Sequence, residues 1–360
     1  MSGLGLSALI TKIRPAPALS FLLIGLVQAI TVTTLQSIIF IRWQEFLKPN
    51  IREVPRGLTV PTNLSIFVFG FVFQLLFMYD AIRLRSTAQV TLACVLNIGF
   101  LPFAIFQRRQ VREGIESLRG STDINGEPLV NLDMDIWPVV GKLLLAIPFI
   151  VGSCTLFLVI SAWYLKQYFS WQLYRNVGAD AKLRKMRILH QIFVMLAKMV
   201  LYAIICFHII YGVPVLGAKG TEFTINMVLL GVAIVIVCMS VVWSKSENRA
   251  GMIVSIIVYL AGLTYFIYMV IIMHTDKKNR WFYAASLESL TAFGCMAILF
   301  ILATTIFAIM CTKNFWRGLK EHLGKHEERW DQTLHTKDFE HDTNGNFGYE
   351  SFRSIRDLDS

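Results

Sequence analysis

FTINMVLLGVAIVIVCMSVVWS, residues 223–244, is a run of 22 side chains without a charge. Six more stretches, 15–41, 57–79, 86–107, 143–165, 250–275 and 289–312, are at least as long and equally uncharged, and an eighth, 188–218, is broken only by Lys198. A bilayer core about 30 Å thick is crossed by roughly 20 residues of helix rising about 1.5 Å each. In lipid only a helix or a closed barrel satisfies its own backbone, and unbroken apolarity excludes the alternating pattern of a barrel strand. The fold class is therefore all-α, a polytopic transmembrane bundle of about eight helices. Seven spans with one re-entrant run are the alternative.

Composition agrees. Hydrophobic residues make up 55% of the chain and charged residues 16%, a charged share well below that of a soluble domain. The polar pieces are too short for a second folded domain, which argues against a soluble catalytic module. The organisation expected is a cytosolic N-terminus over 1–17, an eight-helix membrane domain over 18–312 and a largely disordered cytosolic tail over 313–360. The net charge of +10 needs no nucleic acid to explain it, because Lys and Arg gather in short loops where they set orientation. The N-terminus, the loops after the second, fourth and sixth helices and the tail through Arg329 hold 17 of them, against 13 in the four opposite loops. The positive-inside rule then puts both termini in the cytosol. The densest cluster, Lys182, Arg184, Lys185 and Arg187, falls on that side and suits anionic lipid headgroups as well as a topology signal.

Proline and aromatic residues suggest where helices end. Pro61 closes the first loop, Asn97 and Pro102 interrupt the third helix, and Trp163 and Tyr164 mark the end of the fourth. Residues 166–187 interleave Tyr168, Phe169, Trp171 and Tyr174 with basic side chains, as a segment lying on the membrane surface would. The six cysteines lie in or beside the apolar runs and have no zinc or redox spacing, so no metal or cofactor is expected. Cys311, at the end of the last helix, is a position for palmitoylation.

Lys198 is the most singular residue. It lies eleven residues past Arg187, about 16 Å along the helix, where a lone ammonium costs about 3 kcal/mol and marks a functional candidate. Snorkelling toward the helix N-terminus is the plainer account. Asp80, at the cytosolic end of the second helix, is the expected counter-ion. Gln191 and Tyr202 share the face of Lys198, and Asn63 and Gln74 share a face on the second helix. With Gln28, Gln36, Gln89, Asn97 and Asn226 they could line a solute path or simply hydrogen-bond helices together. Asp133-Met-Asp135 has the form of the acid pair that holds a cation and nucleotide sugar in many glycosyltransferases, but a solvated acidic turn explains it with no surrounding nucleotide domain.

Four loop motifs carry a resemblance. Tyr79-Asp80-Ala81-Ile82-Arg83-Leu84-Arg85 closes the second helix, and Asn176-Val177-Gly178-Ala179-Asp180 precedes the basic cluster. Glu247-Asn248-Arg249 joins the sixth and seventh helices, and Cys311-Thr312-Lys313-Asn314-Phe315 leads into Gly318-Leu319-Lys320. In this order and spacing the chain resembles the fungal family of uncharacterised Golgi apparatus membrane proteins carrying a UPF label. The resemblance implies a Golgi location and several membrane spans, and supplies no catalytic residues. Where that family has an acid two places after the lysine, this chain has Val200, so no ion pair forms within that helix. The function expected is non-enzymatic: transport of a small solute, or organisation of membrane traffic. A membrane-embedded enzyme acting on lipid or sugar donors is the competing class. The expected partners are the lipid bilayer, anionic headgroups and trafficking proteins at the C-terminal tail, with no nucleic acid.

Overall fold

The computed structural model describes residues 16–47, 55–121, 128–131, 134–176, 181–217, 220–275, 283, 286–313 and 315. They form eight long helices: α1 Ala16–Phe46, α2 Pro55–Arg83, α3 Thr87–Arg119, α4 Trp137–Asn176, α5 Ala181–Ile210, α6 Gly220–Lys245, α7 Arg249–Thr275 and α8 Leu287–Lys313. Each contains a window long and apolar enough to cross a membrane. The chain is a multi-pass helical membrane protein. An isolated antiparallel β-bridge joins Leu47 and Val130.

Several helices outrun their apolar cores, because in-line hydrogen bonding continues after hydropathy stops. α3 passes through Asn97 and Pro102 unbroken, where an interruption was expected; membrane helices tolerate proline when neighbours satisfy the freed groups. α2 likewise begins at Pro55 and contains Pro61. α4 extends 40 residues, so Tyr168 and Phe169 belong to a transmembrane helix rather than to a separate surface segment. The basic cluster occupies the first two turns of α5, and its side chains lie outside the described residues. So do the tail beyond Phe315 and the first fifteen residues.

Two hairpins at one end of the bundle close by the same backbone device. At the end of α2, Ser86 N–H reaches Ala81 O at 3.1 Å and Arg85 N–H reaches Ile82 O at 3.2 Å, with Arg85 left-handed at φ 49°. This is the Schellman arrangement, which satisfies the last carbonyls of a helix. Ser86 Oγ then accepts the Gln89 N–H and caps α3. At the end of α6, Asn248 N–H reaches Trp243 O at 3.0 Å with Glu247 at φ 54°, and Asn248 Oδ1 accepts the Gly251 N–H at the start of α7. Two of the loop motifs are thus helix caps.

The helices form two halves. α1 to α4 enclose a core around Phe67, Phe71, Val111 and Leu144, and together with Met195, Leu196 and Met199 of α5 a second around Phe77, Met78 and Leu158. α5 to α8 enclose one around Phe207, Phe266, Ala297 and Ile301, which α2 reaches with Ile66. α5 is the central helix, with 67% of its apolar window buried, against 17% for α6 and 22% for α7. Outward-facing side chains such as Phe149, Leu156, Val235 and Ile257 are apolar and exposed, as lipid contact requires. Cys311 is buried, which removes it as a surface thiol for acylation.

The halves meet along an aromatic seam. Tyr202 of α5 stacks on Phe73 at 4.6 Å and on Phe69 at 5.8 Å, and meets Phe293 of α8 edge-on at 6.2 Å. Gly70 makes the approach possible, since a Cβ there would sit 2.9 Å from Phe100 Cε1 and 2.9 Å from Tyr202 Oη. Gly70→Ala is expected to destabilise the purified protein by about 1–3 kcal/mol through overpacking. Gly99→Ala, whose Cβ meets nothing within 4 Å, is expected to be neutral or mildly stabilising. Thermal unfolding of both in detergent checks this, and equal melting temperatures would show that the seam has slack.

Candidate functional site

Polar side chains inside a membrane bundle cannot fall back on water, so each one's partner is informative. Thr155 of α4 donates its hydroxyl proton to Val151 O at 2.6 Å. With that proton used, its oxygen can only accept, and it accepts from Asn97 Nδ2 at 2.7 Å. Asn97 Oδ1 consequently faces the other way and accepts from Gln28 Nε2 at 2.8 Å and from Gln74 Nε2 at 2.9 Å. One asparagine on α3 therefore ties α1, α2 and α4 together, with Asn97 and Gln28 fully buried and Gln74 2% exposed. The network fixes the amide orientations. The carbonyl oxygens of Gln28 and Gln74 remain buried without a partner among the described residues.

Other amides line the same half. Gln36 and Gln107 exchange bonds of 2.8 and 3.5 Å between α1 and α3, a mutually satisfied pair. Asn63 Nδ2 donates to Gln110 Oε1 at 2.8 Å, leaving Asn63 Oδ1 unpartnered. Gln89 Nε2 donates to Asp80 Oδ2 at 3.3 Å, leaving Gln89 Oε1 unpartnered. From Gln89 to Gln110 the row spans about 31 Å along α3, close to the thickness of the hydrocarbon core. Four amide carbonyls along it lack a donor.

At the hairpin end of this row the ammonium of Lys198 donates to Asp80 Oδ2. The pair is partly open, with the two side chains 32% and 27% exposed. Asp80 stands three residues before the end of α2, and Lys198 lies well inside α5, so the pair bridges the two halves. Gln89 shares the same carboxylate oxygen.

The remaining candidates separate. Gln74 belongs to the Asn97 cluster. Tyr202 is a packing residue of the seam, and Gln191 is half-buried with no described hydrogen bond to the ion pair. Asn226 donates to His208 O at 3.0 Å, joining α6 to the end of α5. There Pro214 lacks the N–H that Ile210 O would use, and the backbone widens into a π turn over Tyr211–Val215, with Leu216 N–H on Tyr211 O. Asp135 receives Arg119 Nη2 at 2.7 Å and accepts the Trp137 N–H at 3.3 Å, so it caps α4; Asp133 lies outside the described residues. Asn63, in the sequon Asn63-Leu64-Ser65, is 1% exposed and faces α3. Thr155 was missed in the sequence because a threonine in an apolar run usually bonds only its own helix; its sole signal was its depth opposite Asn97.

Among known proteins, the chain is 21% identical over 277 residues to a UPF0658 Golgi apparatus membrane protein of Schizosaccharomyces pombe, covering 73% of this chain and 78% of the relative. That similarity supports the family resemblance carried by the loop motifs. No family model matches the chain, and no solved structure matches it.

Two outcomes are expected. Lys198→Met should be tolerated better than Asp80→Ala, because removing only the carboxylate strands a partly buried cation. The double variant should recover much of the loss, a coupling that independent sites lack. Abundance of the three variants in the membrane checks it, and simple additivity would mean that the two charges act separately. Asn97→Leu should lower the melting temperature more than Gln28→Leu, since it strands the amide nitrogens of Gln28 and Gln74, at about 1–3 kcal/mol for each buried group left unpaired, whereas Gln28→Leu leaves Asn97 Oδ1 bonded to Gln74.

Proposed function

We propose that this protein moves a small polar solute across the membrane through its first four helices. The observation that carries the reading is the set of buried amides that α1 and α2 present to α3, where the carbonyl oxygens of Gln28, Asn63, Gln74 and, on α3 itself, Gln89 have no partner among the described residues. Amides needed only as glue between helices would be expected to pair off, as Gln36 and Gln107 do. Unpaired acceptors distributed over a bilayer's thickness instead offer successive stations to a passing hydrogen-bond donor. The Asp80–Lys198 pair stands at one mouth, and its link between α2 and α5 would let the halves move relative to each other when it opens.

The proposal is a non-enzymatic one. An enzyme acting on lipid or sugar donors needs convergent acid, base or metal groups at one interface. Asp135, half of the acid pair that suggested a sugar-nucleotide site, is used in capping α4. A traffic role would rest on the tail, which lies outside the described residues.

We further propose residence in the Golgi membrane with both termini cytosolic. The relative's name supports the compartment, and the distribution of Lys and Arg supports the orientation. The cluster at the start of α5 would then meet anionic headgroups of the cytosolic leaflet.

Purified protein in phosphatidylcholine vesicles is expected to accelerate osmotic swelling in at least one member of a panel of small polar solutes. Vesicle permeability equal to that of protein-free controls for the whole panel would overturn the transport reading. A reporter fused after Ser360 should be protease-sensitive in sealed Golgi vesicles; protection would reverse the orientation.

A further inference from the structure

We infer that the Gln28–Gln74–Asn97 cluster is a station for one neutral hydroxyl donor, water or a small polyol. The inference rests on the transport reading and names the class of solute. The polarity of the station follows from one hydroxyl. Thr155 spends its proton on Val151 O, so Asn97 must offer its amide nitrogen to Thr155 and its oxygen to the glutamines. Both glutamines answer with nitrogen, and their oxygens are left over. Because both amides dock on a single atom, those two oxygens stand at one level of the bundle. That level lies about 9 Å along α2 from Asp80, counting the six residues between Gln74 and Asp80 at about 1.5 Å each.

A cluster whose free atoms are all acceptors selects donors. Each unpaired buried carbonyl is disfavoured by about 1–3 kcal/mol, and a donated O–H removes that penalty. A bare cation would also be attracted, but its desolvation exceeds what two amide oxygens return without a carboxylate nearby. Among the described residues no Asp, Glu, Lys or Arg is fully buried. A divalent cation would require more oxygens, with carboxylates among them. Amides do not titrate, so the cluster itself cannot relay protons. A neutral molecule with hydroxyl donors meets all of these conditions.

Stopped-flow light scattering on phosphatidylcholine vesicles carrying the full chain separates the possibilities, with water and glycerol permeability measured in one arm and sodium entry, by a trapped dye, in the other. The wild-type protein should raise permeability to water or glycerol without raising sodium entry. Gln28→Met/Gln74→Met should lower that permeability roughly tenfold, as expected for losing about one hydrogen bond to the solute. Thr155→Val, which keeps the side-chain shape but frees Asn97 to turn over, should lower it as well. Should the double variant fail to elute as a single monodisperse species, Thr155→Val alone decides. Sodium entry that depends on these residues would overturn the inference and leave transport standing. Permeability unaffected by either variant would place the path elsewhere, with the same consequence. Wild-type vesicles indistinguishable from empty ones in both arms would overturn both the station and the transport reading.

Discussion

A buried amide in a lipid bilayer has no solvent to retreat to, and Asn97 turns that constraint into architecture. Water would let four helices slide past each other at little penalty, whereas in hydrocarbon each misaligned register strands a polar group. By accepting from Gln28 and Gln74 and donating to Thr155, Asn97 sets the relative heights of α1, α2, α3 and α4. The apolar residues around it supply close packing but little register, because lipid tails are as apolar as leucine. Shape fills the bundle, and the amides index it.

The second half is built on a different plan. Its core is apolar and aromatic, with α5 at the centre and α8 along it. Its described side-chain bonds lie near helix ends or join neighbours in sequence: His190 to Ser244, Ser240 to Tyr259, and Asn226 to the backbone at His208. A polar half is thus joined to a packed half by an aromatic seam, by apolar contacts of Met195, Leu196 and Met199, by the ion pairs Asp80–Lys198 and Arg109–Glu288, and by the hydroxyl pair Thr59–Ser286. Gly70 belongs to this division, since it brings the Tyr202 ring against α2 where a larger residue would hold the halves apart.

The eight spans were legible because a run of 22 uncharged residues admits few structures in any solvent. Their ends were not, because hydropathy reports what touches lipid while a helix ends where its backbone bonds are taken over. α3 runs past Gln107 to Arg119 and α4 past Tyr164 to Asn176 for that reason. Depth along helices of opposite direction was enough to nominate Asp80 opposite Lys198. The face shared by Asn63 and Gln74 was also legible from a spacing of eleven, and both turn to α3. What the spacing could not supply was the partner, since periodicity gives an angle about one axis and a hydrogen bond needs two axes. Tyr202 illustrates the limit: it has the period of Lys198's face and yet packs into the seam.

The separation of Asp80 and Lys198 by 118 positions orders events during synthesis. The carboxylate leaves the ribosome first, and at roughly 5–20 residues per second its lysine follows about 6–24 s later. For that interval the second helix stands in the translocation machinery with an acid near its boundary and no base to meet it. The first four helices can already engage through Asn97, so the nascent chain waits as a half-built bundle whose exposed acid advertises that α5 has yet to arrive. A truncated or stalled chain would keep that mark permanently, and a quality-control factor that reads unpaired charge at a membrane boundary would have a direct means of telling the unfinished protein from the complete one.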